Sequence, residues 1–475
     1  MPVKPEYDAI VVGSGPNGLA AAITLARERL SVLLIEGKET IGGGMRTAEL
    51  TMPGFHHDVC SAIHPVALSS PFFRSLDLAA YGLDWIHPPA ALAHPFDDGS
   101  AILLKRSIGE TAAQFGSDAS RYAALMEPLA AHWAELAEDI LGPLRMPRHP
   151  LITLRFAVRA QSSAQQLARS RFRDHRARAL FAGIAVHAIQ PLSQRGTAAA
   201  GLLLGAAAHA VGWPIPQGGS QKLADALGAC FTSLGGTIET GRMVHSLEEL
   251  PRARVVLLDI TPRQMARIAG GTLPDGYRRR MESHRYGPGV FKIDWALAGP
   301  IPWKAAECLK AGTVHLGGTM EEIVAAENAA WKGEAVERPF VILAQQSLFD
   351  PSRAPAGRHT AWAYCHVPNG SSVDMTEQIE DQVERFAPGF RERILARSIM
   401  TPADMERYNP NYVGGDIGGG VRGMRELLIR PLGRWKAYTT PIKGVYLCSS
   451  SMPPGGGVHG MCGYHAAETA LSHLL

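Results

Sequence analysis

Residues 7–37 read YDAIVV, GSGPNG, LAAAITLARERL, SVLLIEG. The first six are apolar and rich in β-branched types, which suits a buried strand. A turn follows with glycine at 13, 15 and 18, then a helix-forming stretch with apolar residues at helical spacing. A second apolar run, 31–35, ends at Glu36. The order predicts a β-α-β unit with GxGxxG at its turn and an acid closing its second strand.

Each residue type has a physical task there. Gly13 allows the tight turn, Gly15 leaves room for a pyrophosphate, and Gly18 lets helix and strand pack closely. With Ser14, Pro16 and Asn17 they form a loop whose following helix offers free N–H groups and a positive dipole end to phosphate. Glu36, beside Gly37, suits hydrogen bonds from ribose hydroxyls. The motif also occurs at 418–423 and 455–460, but at neither copy is a β-strand-to-helix unit with a downstream acid apparent, so only the first is read as a dinucleotide site.

The stretch Ile41-Gly42-Gly43-Gly44-Met45-Arg46-Thr47 follows the second strand directly. Near the other end, Gly444–Ser449 reads as a buried strand. It is followed by Ser450, Ser451, the loop PPGGGVHGMCG (453–463) and an Ala-rich helix over 464–475. In the middle, Gln217-Gly218-Gly219-Ser220 precedes a helix to Leu234, with a strand over 237–244 and another over 255–258. These three pieces resemble the FAD-dependent family of phytoene desaturases, retinol saturase and the amine oxidases. The segments GFHHDVCSAIHP, YGPGVFKIDWALAGPIPW and YNPNYVGGDIGGG resemble the phytoene-desaturase-like group that includes pyridine nucleotide-disulphide oxidoreductase domain-containing protein 2.

The resemblance implies a Rossmann-type α/β FAD-binding domain made of 1–65, 206–270 and 406–475. An α+β substrate-binding lobe is inserted at 66–205 and 271–405, the first stretch mostly helical. It implies that Gly42, Gly43, Gly44, Met45 and Arg46 approach the pyrophosphate and ribityl chain, that the backbone of Val244 meets the adenine, and that Ser450, Gly456, Gly457, Val458 and His459 meet the flavin. Arg46 stands two residues later than the family's usual arginine. The activity implied is dehydrogenation or desaturation of a hydrophobic, isoprenoid-like small molecule, with oxygen or a quinone as electron acceptor. Amine oxidation, and isomerisation or saturation by reduced flavin, are the alternatives, and a flavin-binding scaffold without turnover is a fourth.

Candidate catalytic groups follow from the same segments. Lys292 alternates with Asp294 on one strand face and resembles the lysine of amine oxidases. Asp58 and His64 lie where the chain leaves the cofactor domain, and His459 begins the closing helix. A histidine titrates near neutral pH and can serve as a base. Tyr412, Asp416 and His366 are further candidates.

Composition excludes several classes. The 475 residues carry 47 basic and 44 acidic side chains, a net charge of +3, which provides no field for nucleic acid. The six cysteines form no CxxC pair, so neither a zinc site, nor any other metal site, nor a redox dithiol is expected, and a reducing, cytoplasmic setting is. The apolar stretch 196–216 is read as a buried helix rather than a membrane span. No signal peptide is expected before the strand at 7. Arginines crowd 145–178, where Asp174 is the only acid. That run reads as a solvated face, or as a basic cap lying on an anionic membrane.

Overall fold

The computed structural model describes residues 5–334, 336–421 and 437–474. The predicted opening unit is present. Strand β1 (Tyr7–Val12) leads through the glycine turn into helix α1 (Pro16–Arg27), and β2 (Val32–Ile35) returns parallel to β1, pairing Ala9 with Val32 and Val12 with Ile35. Gly13 has φ +97°. A Cβ on Gly18 would lie 1.9 Å from the Gly13 carbonyl oxygen, so only glycine permits this strand–helix approach.

Two sheets organise the molecule. The first takes in β1 and β2, β5 (Thr237–Glu239), β6 (Ala253–Leu258) and β12 (Val445–Leu447), in the order β12-β6-β1-β2-β5 and parallel throughout. Helix α1 packs on it beside α6 (Gln221–Ser233) and the C-terminal helix α7 (Met461–Leu474). Helices α1 and α7 touch backbone to backbone: a Cβ on Gly463 would sit 1.8 Å from the Asn17 carbonyl oxygen. The last loop of the chain is thereby held against the first.

The second sheet is mixed, in the order β11-β7-β10-β9-β8-β3-β4. Its strands are β3 (Ala90–Pro95), β4 (Ala101–Leu104), β7 (Gly289–Leu297), β8 (Ala311–Leu316), β9 (Val341–Ala344), β10 (His359–Val367) and β11 (Ile394–Met400). Neighbours run antiparallel except β3 and β8, which are parallel, with Leu92 opposite Thr313. Residues 66–205 are therefore not simply helical: β3 leaves that stretch to pair with β8, some 220 residues later, and β4 pairs back on β3 at the sheet edge. The remainder supplies α2 (Trp133–Ile140), α3 (Pro150–Ala160), α4 (His175–Ala185) and α5 (Ala198–Ala210). Helix α5 is the apolar run read as buried, and its His209 is held by the Tyr122 hydroxyl at 2.7 Å. Among the described residues no helix is long and apolar enough to cross a membrane.

Two expected boundaries shift. The strand after the 235–236 glycine pair ends at Glu239, because residues beyond it turn back across the carboxyl end of the sheet, Gly241 N–H donating to Lys38 O. The closing helix begins at Met461 rather than 464, its amide accepted by His459 Nδ1 at 3.0 Å. Of the motif at 418–423, residues 422 and 423 lie outside the described residues.

Candidate active site

A cavity of about 930 Å³ runs from the glycine turn to the space between the two sheets, near the upper end of the usual ~300–1,000 Å³ for small-molecule sites. At one end it is walled by Gly13, Ser14, Gly15, Pro16 and Asn17, by Glu36 and Gly37, by Gly43, Gly44 and Arg46, and by Val244. The closing segment adds Ser450, Gly456, Gly457, Val458 and His459. These came from four separate stretches of sequence, and the fold brings them to one wall. Gly18, Gly42 and Met45 stand behind it. Gly18 packs on the strand, Gly42 N–H donates to Ser14 O at 3.0 Å, and Met45 is fully buried in the core.

The wall fits FAD on three observations. A Cβ built on Gly43 would lie 2.9 Å from the Cα of Gly15, so two backbones meet there with no side chain between them. The N-cap of α1, Gly15, has no side chain of its own to cap the helix, and the Asn17 side-chain oxygen is buried at the cavity with no partner among the described residues. Glu36, 8% exposed at the end of β2, is held by the Ser14 amide (3.1 Å) and hydroxyl and by the Lys38 amide (2.9 Å). Pyrophosphate would rest on the glycine backbone and the start of α1, and ribose on Glu36.

Arg46 is placed differently from expectation. Its guanidinium lies 3.1 Å from Glu36 Oε1 and donates twice to Thr40 O, at 2.9 and 2.7 Å, and Tyr408 stacks on it. Standing two residues later in the loop turns it onto the Glu36 carboxylate.

Asp259 escaped the sequence reading. It closes β6, borders the cavity, and its Oδ2 accepts the Gly18 amide at 3.0 Å, capping α1 from another strand. Burial, with Glu36 adding to it and Gly18 N–H opposing, pushes its carboxyl up to about 7. An acid at the carboxyl end of a parallel core strand was the available signal, since ligands of such sheets bind there. A protonated Asp259 tolerates a pyrophosphate, whereas an ionised one repels it. FAD affinity is therefore expected to be flat below about pH 7 and to weaken, approaching tenfold per unit, as pH rises through that value. Quenching of FAD fluorescence by apoprotein across pH measures it. Asp259→Asn should flatten the profile, and parallel profiles for the two proteins would refute the role.

The catalytic candidates divide. His64 borders the cavity. Its Nε2 lies 2.8 Å from Ser220 Oγ, whose own proton goes to Ser61 O at 2.6 Å. Nε2 is therefore the donor, and Nδ1 keeps a buried lone pair with no partner among the described residues. Burial pushes this histidine down to about 4, so the ring is neutral at pH 7. His459 also borders the cavity, but Nε2–H donates to Gly455 O at 3.0 Å and Nδ1 accepts from Met461, so its ring pins the closing loop.

Asp58 and Lys292 are not among the cavity-lining residues. Asp58 is fully buried and accepts from Thr47 Oγ1 (2.7 Å), Ser220 N (2.8 Å) and Arg353 (2.5 Å). Burial would raise its carboxyl, but Arg353 and these donors hold it below the usual range. Lys292, 2% exposed, pairs with Asp294, with neutral His57 standing 3.5 Å from the other carboxylate oxygen. Trp362 borders the cavity, and Lys292 Nζ lies 5.6 Å from the centre of its ring. His366 is paired with Glu327 at 2.8 Å, and Asp416 caps the amides of Gly287 and Gly418. Neither borders the cavity, whereas Tyr412 does, its hydroxyl 3.5 Å from Cys60 Sγ.

The far half of the cavity has a distinct chemistry. Every charged residue of the described lining (Glu36, Lys38, Arg46, Arg242, Asp259 and Arg267) follows a strand of the parallel sheet. Beyond them the wall includes Leu203, Leu204, Trp213, Ile342, Trp362 and Tyr364, with His187, Gln190, Thr197 and Thr313 among its polar members. His187 Nδ1 donates to Ile184 O at 3.0 Å, and burial pushes the ring down to about 4. That half is uncharged at neutral pH. Among the described residues no cluster of side chains could hold a metal ion.

The comparisons agree with this geometry. The family model of the NAD(P)-binding Rossmann-like domain matches residues 11–77. The chain is 27% identical to the rat pyridine nucleotide-disulfide oxidoreductase domain-containing protein 2, over 99% of this chain and 94% of that one. It is 26% identical to hydroxyneurosporene desaturase of Cereibacter sphaeroides, over 98% and 97%. Cyclohexylamine oxidase from Brevibacterium oxydans shares the fold, with a TM-score of 0.61 and 14% identity across 99% of this chain and 100% of that one.

Proposed function

We propose that this FAD-dependent oxidoreductase dehydrogenates an uncharged, largely apolar molecule of isoprenoid type, at a carbon–carbon bond, and passes the electrons to oxygen or a quinone. The FAD domain is assigned to 1–65, 206–270 and 406–475, and the substrate lobe to 66–205 and 271–405. The observation that carries the reading is the uncharged far half of the cavity. Moving a cation out of water into such a space costs several kcal/mol unless a counter-charge meets it. Sequence relatives named hydroxyneurosporene desaturase and phytoene desaturase support an isoprenoid skeleton.

When bound, FAD supplies the two-electron acceptor for a hydride. The chain's own part is to orient the substrate and receive a proton. Leu203, Leu204, Ile342 and Trp362 enclose an apolar chain and exclude water, which favours one reactive alignment. His64 Nδ1 is the proton acceptor, its ring fixed by the hydrogen bond through Ser220 to Ser61. Lys292 acts from behind Trp362 as a positioning residue, its charge balanced by Asp294.

Amine oxidation is favoured by one feature, the stacked Trp362 and Tyr364 rings, 5.8 Å apart on the cavity wall. Anaerobic titration separates the readings. Neutral isoprenoid alcohols or polyenes should bleach the visible flavin absorbance, while primary amines at neutral pH should not. His64→Leu should bind the same substrates and bleach roughly tenfold more slowly or worse. Bleaching by amines alone would overturn the proposal, and turnover only after dithionite reduction would assign an isomerase or saturase instead.

A further inference from the structure

Helix α3 exposes an apolar stripe. Leu151, Leu154 and Val158, at positions i, i+3 and i+7, are 85%, 62% and 57% exposed, while Ile152, Phe156 and Ala160 on its other side are buried. The loop before it adds Leu144 and Met146, the latter 89% exposed. Five of the twelve exposed large apolar side chains of the described chain thus fall within residues 144–158. Scattered exposure needs no explanation, but a contiguous patch does.

Arginines border the stripe without acids to match. Arg145 and Arg155 are exposed, and neither they nor Arg159 and Arg171 make an ion pair among the described residues. Arg155 and Arg171 lie close enough to Arg159 to disfavour its charge, adding to its burial. Arg148 faces Glu138 at 3.8 Å and, further along the basic run, Arg169 faces Glu321 at 3.5 Å. A protein partner able to cover both features would need an apolar groove edged with acids. An anionic lipid surface offers acyl chains for the stripe and phosphates for the guanidinium groups at the same time. Long arginine stems also reach upward to headgroups while their helix lies lower.

The patch adjoins the cavity. Ile140 and Leu141, at the end of α2, border it, and the exposed loop begins three residues later at Leu144. Helix α3 packs on α5, whose Ala199, Ala200, Leu203 and Leu204 form part of the cavity wall. We infer that residues 144–159 are a docking surface that lies in the plane of an anionic membrane, beside the entrance to the apolar half of the cavity. The surface stands on its own side chains and does not depend on which molecule is oxidised.

The test uses the FAD-loaded protein and vesicles of phosphatidylcholine, with and without about 30% phosphatidylglycerol. The wild type should float with the anionic vesicles, weakly with the neutral ones, and less at high salt. Leu151→Asp with Leu154→Asp changes only solvent-facing positions, so flavin content should be retained while vesicle binding falls roughly tenfold or more. Arg155→Glu with Arg159→Glu should abolish the preference for anionic lipid. Equal flotation of wild type and both variants, or none by the wild type, would overturn the inference. So would light scattering that shows a wild-type dimer and a Leu151→Asp/Leu154→Asp monomer, since the stripe would then cover a second copy.

Discussion

Valine in place of Gly15 is expected to yield a folded protein that no longer retains FAD. Gly15 has φ −64° and ψ 176°, which any residue adopts, so the backbone itself is not strained by the change. The space is what fails. A Cβ there would stand 2.7 Å from Asp259 Oδ2, the oxygen that holds the Gly18 amide. Overpacking of this kind costs ~1–3 kcal/mol, equivalent to about tenfold to about a hundredfold in FAD affinity. The larger figure is expected, because Asp259 is tied to the start of α1 and valine would also fill space the proposed pyrophosphate needs. Visible absorbance per protein after gel filtration measures the loss, and unchanged circular dichroism shows that the fold persists. Stoichiometric FAD in the variant would remove pyrophosphate from this wall.

Replacing Arg353 by methionine is expected to cost more in stability than any other single change considered. Arg353 is fully buried, donates to Asp58 at 2.5 Å and to His56 O at 3.2 Å, and has no water to fall back on. Without it, the buried Asp58 carboxylate keeps the Thr47, Ser220 and Gln346 donors but loses its counter-charge. Breaking a buried pair from one side typically costs ~3–5 kcal/mol. Thermal unfolding should register a large fall in Tm. Adding Asp58→Asn should recover part of it, because the neutral amide no longer needs the cation. A single variant as stable as the wild type would show that Asp58 is neutralised by other means.

The β-α-β opening was legible because each choice is local: β-branched strand, glycine turn, apolar helix face and terminal acid lie within 31 residues. Strand β3 was not, because its partner β8 lies far along the chain and short apolar runs do not reveal long-range pairing, and β4 joins the sheet only through β3. In the site, position along the chain told which residues gather at the cavity but not which way their side chains turn. His459 lies at the closing loop as expected, yet its ring is spent on that loop. Lys292 and Asp294 share a face as the alternation requires, but that face packs inward, so the pair stands behind Trp362. Asp259 was readable in principle from its place after β6. The exposed stripe of α3 could not be told from a buried one, since an apolar residue at helical spacing does not declare which face meets the core.

The uncharged half of the cavity, the basis of the proposed substrate class, is tested most directly by pairing a neutral ligand with its ionisable twin. A straight-chain alcohol and the amine of the same length can be titrated into the oxidised flavoprotein from about pH 6 to about pH 9, with the flavin spectrum as readout. Alcohol affinity should be nearly constant, and amine affinity should rise about tenfold per pH unit, because only the neutral amine enters. An amine that binds more tightly than the alcohol near pH 7, with no pH dependence, would mean that a counter-charge awaits it, and would contradict an uncharged substrate site.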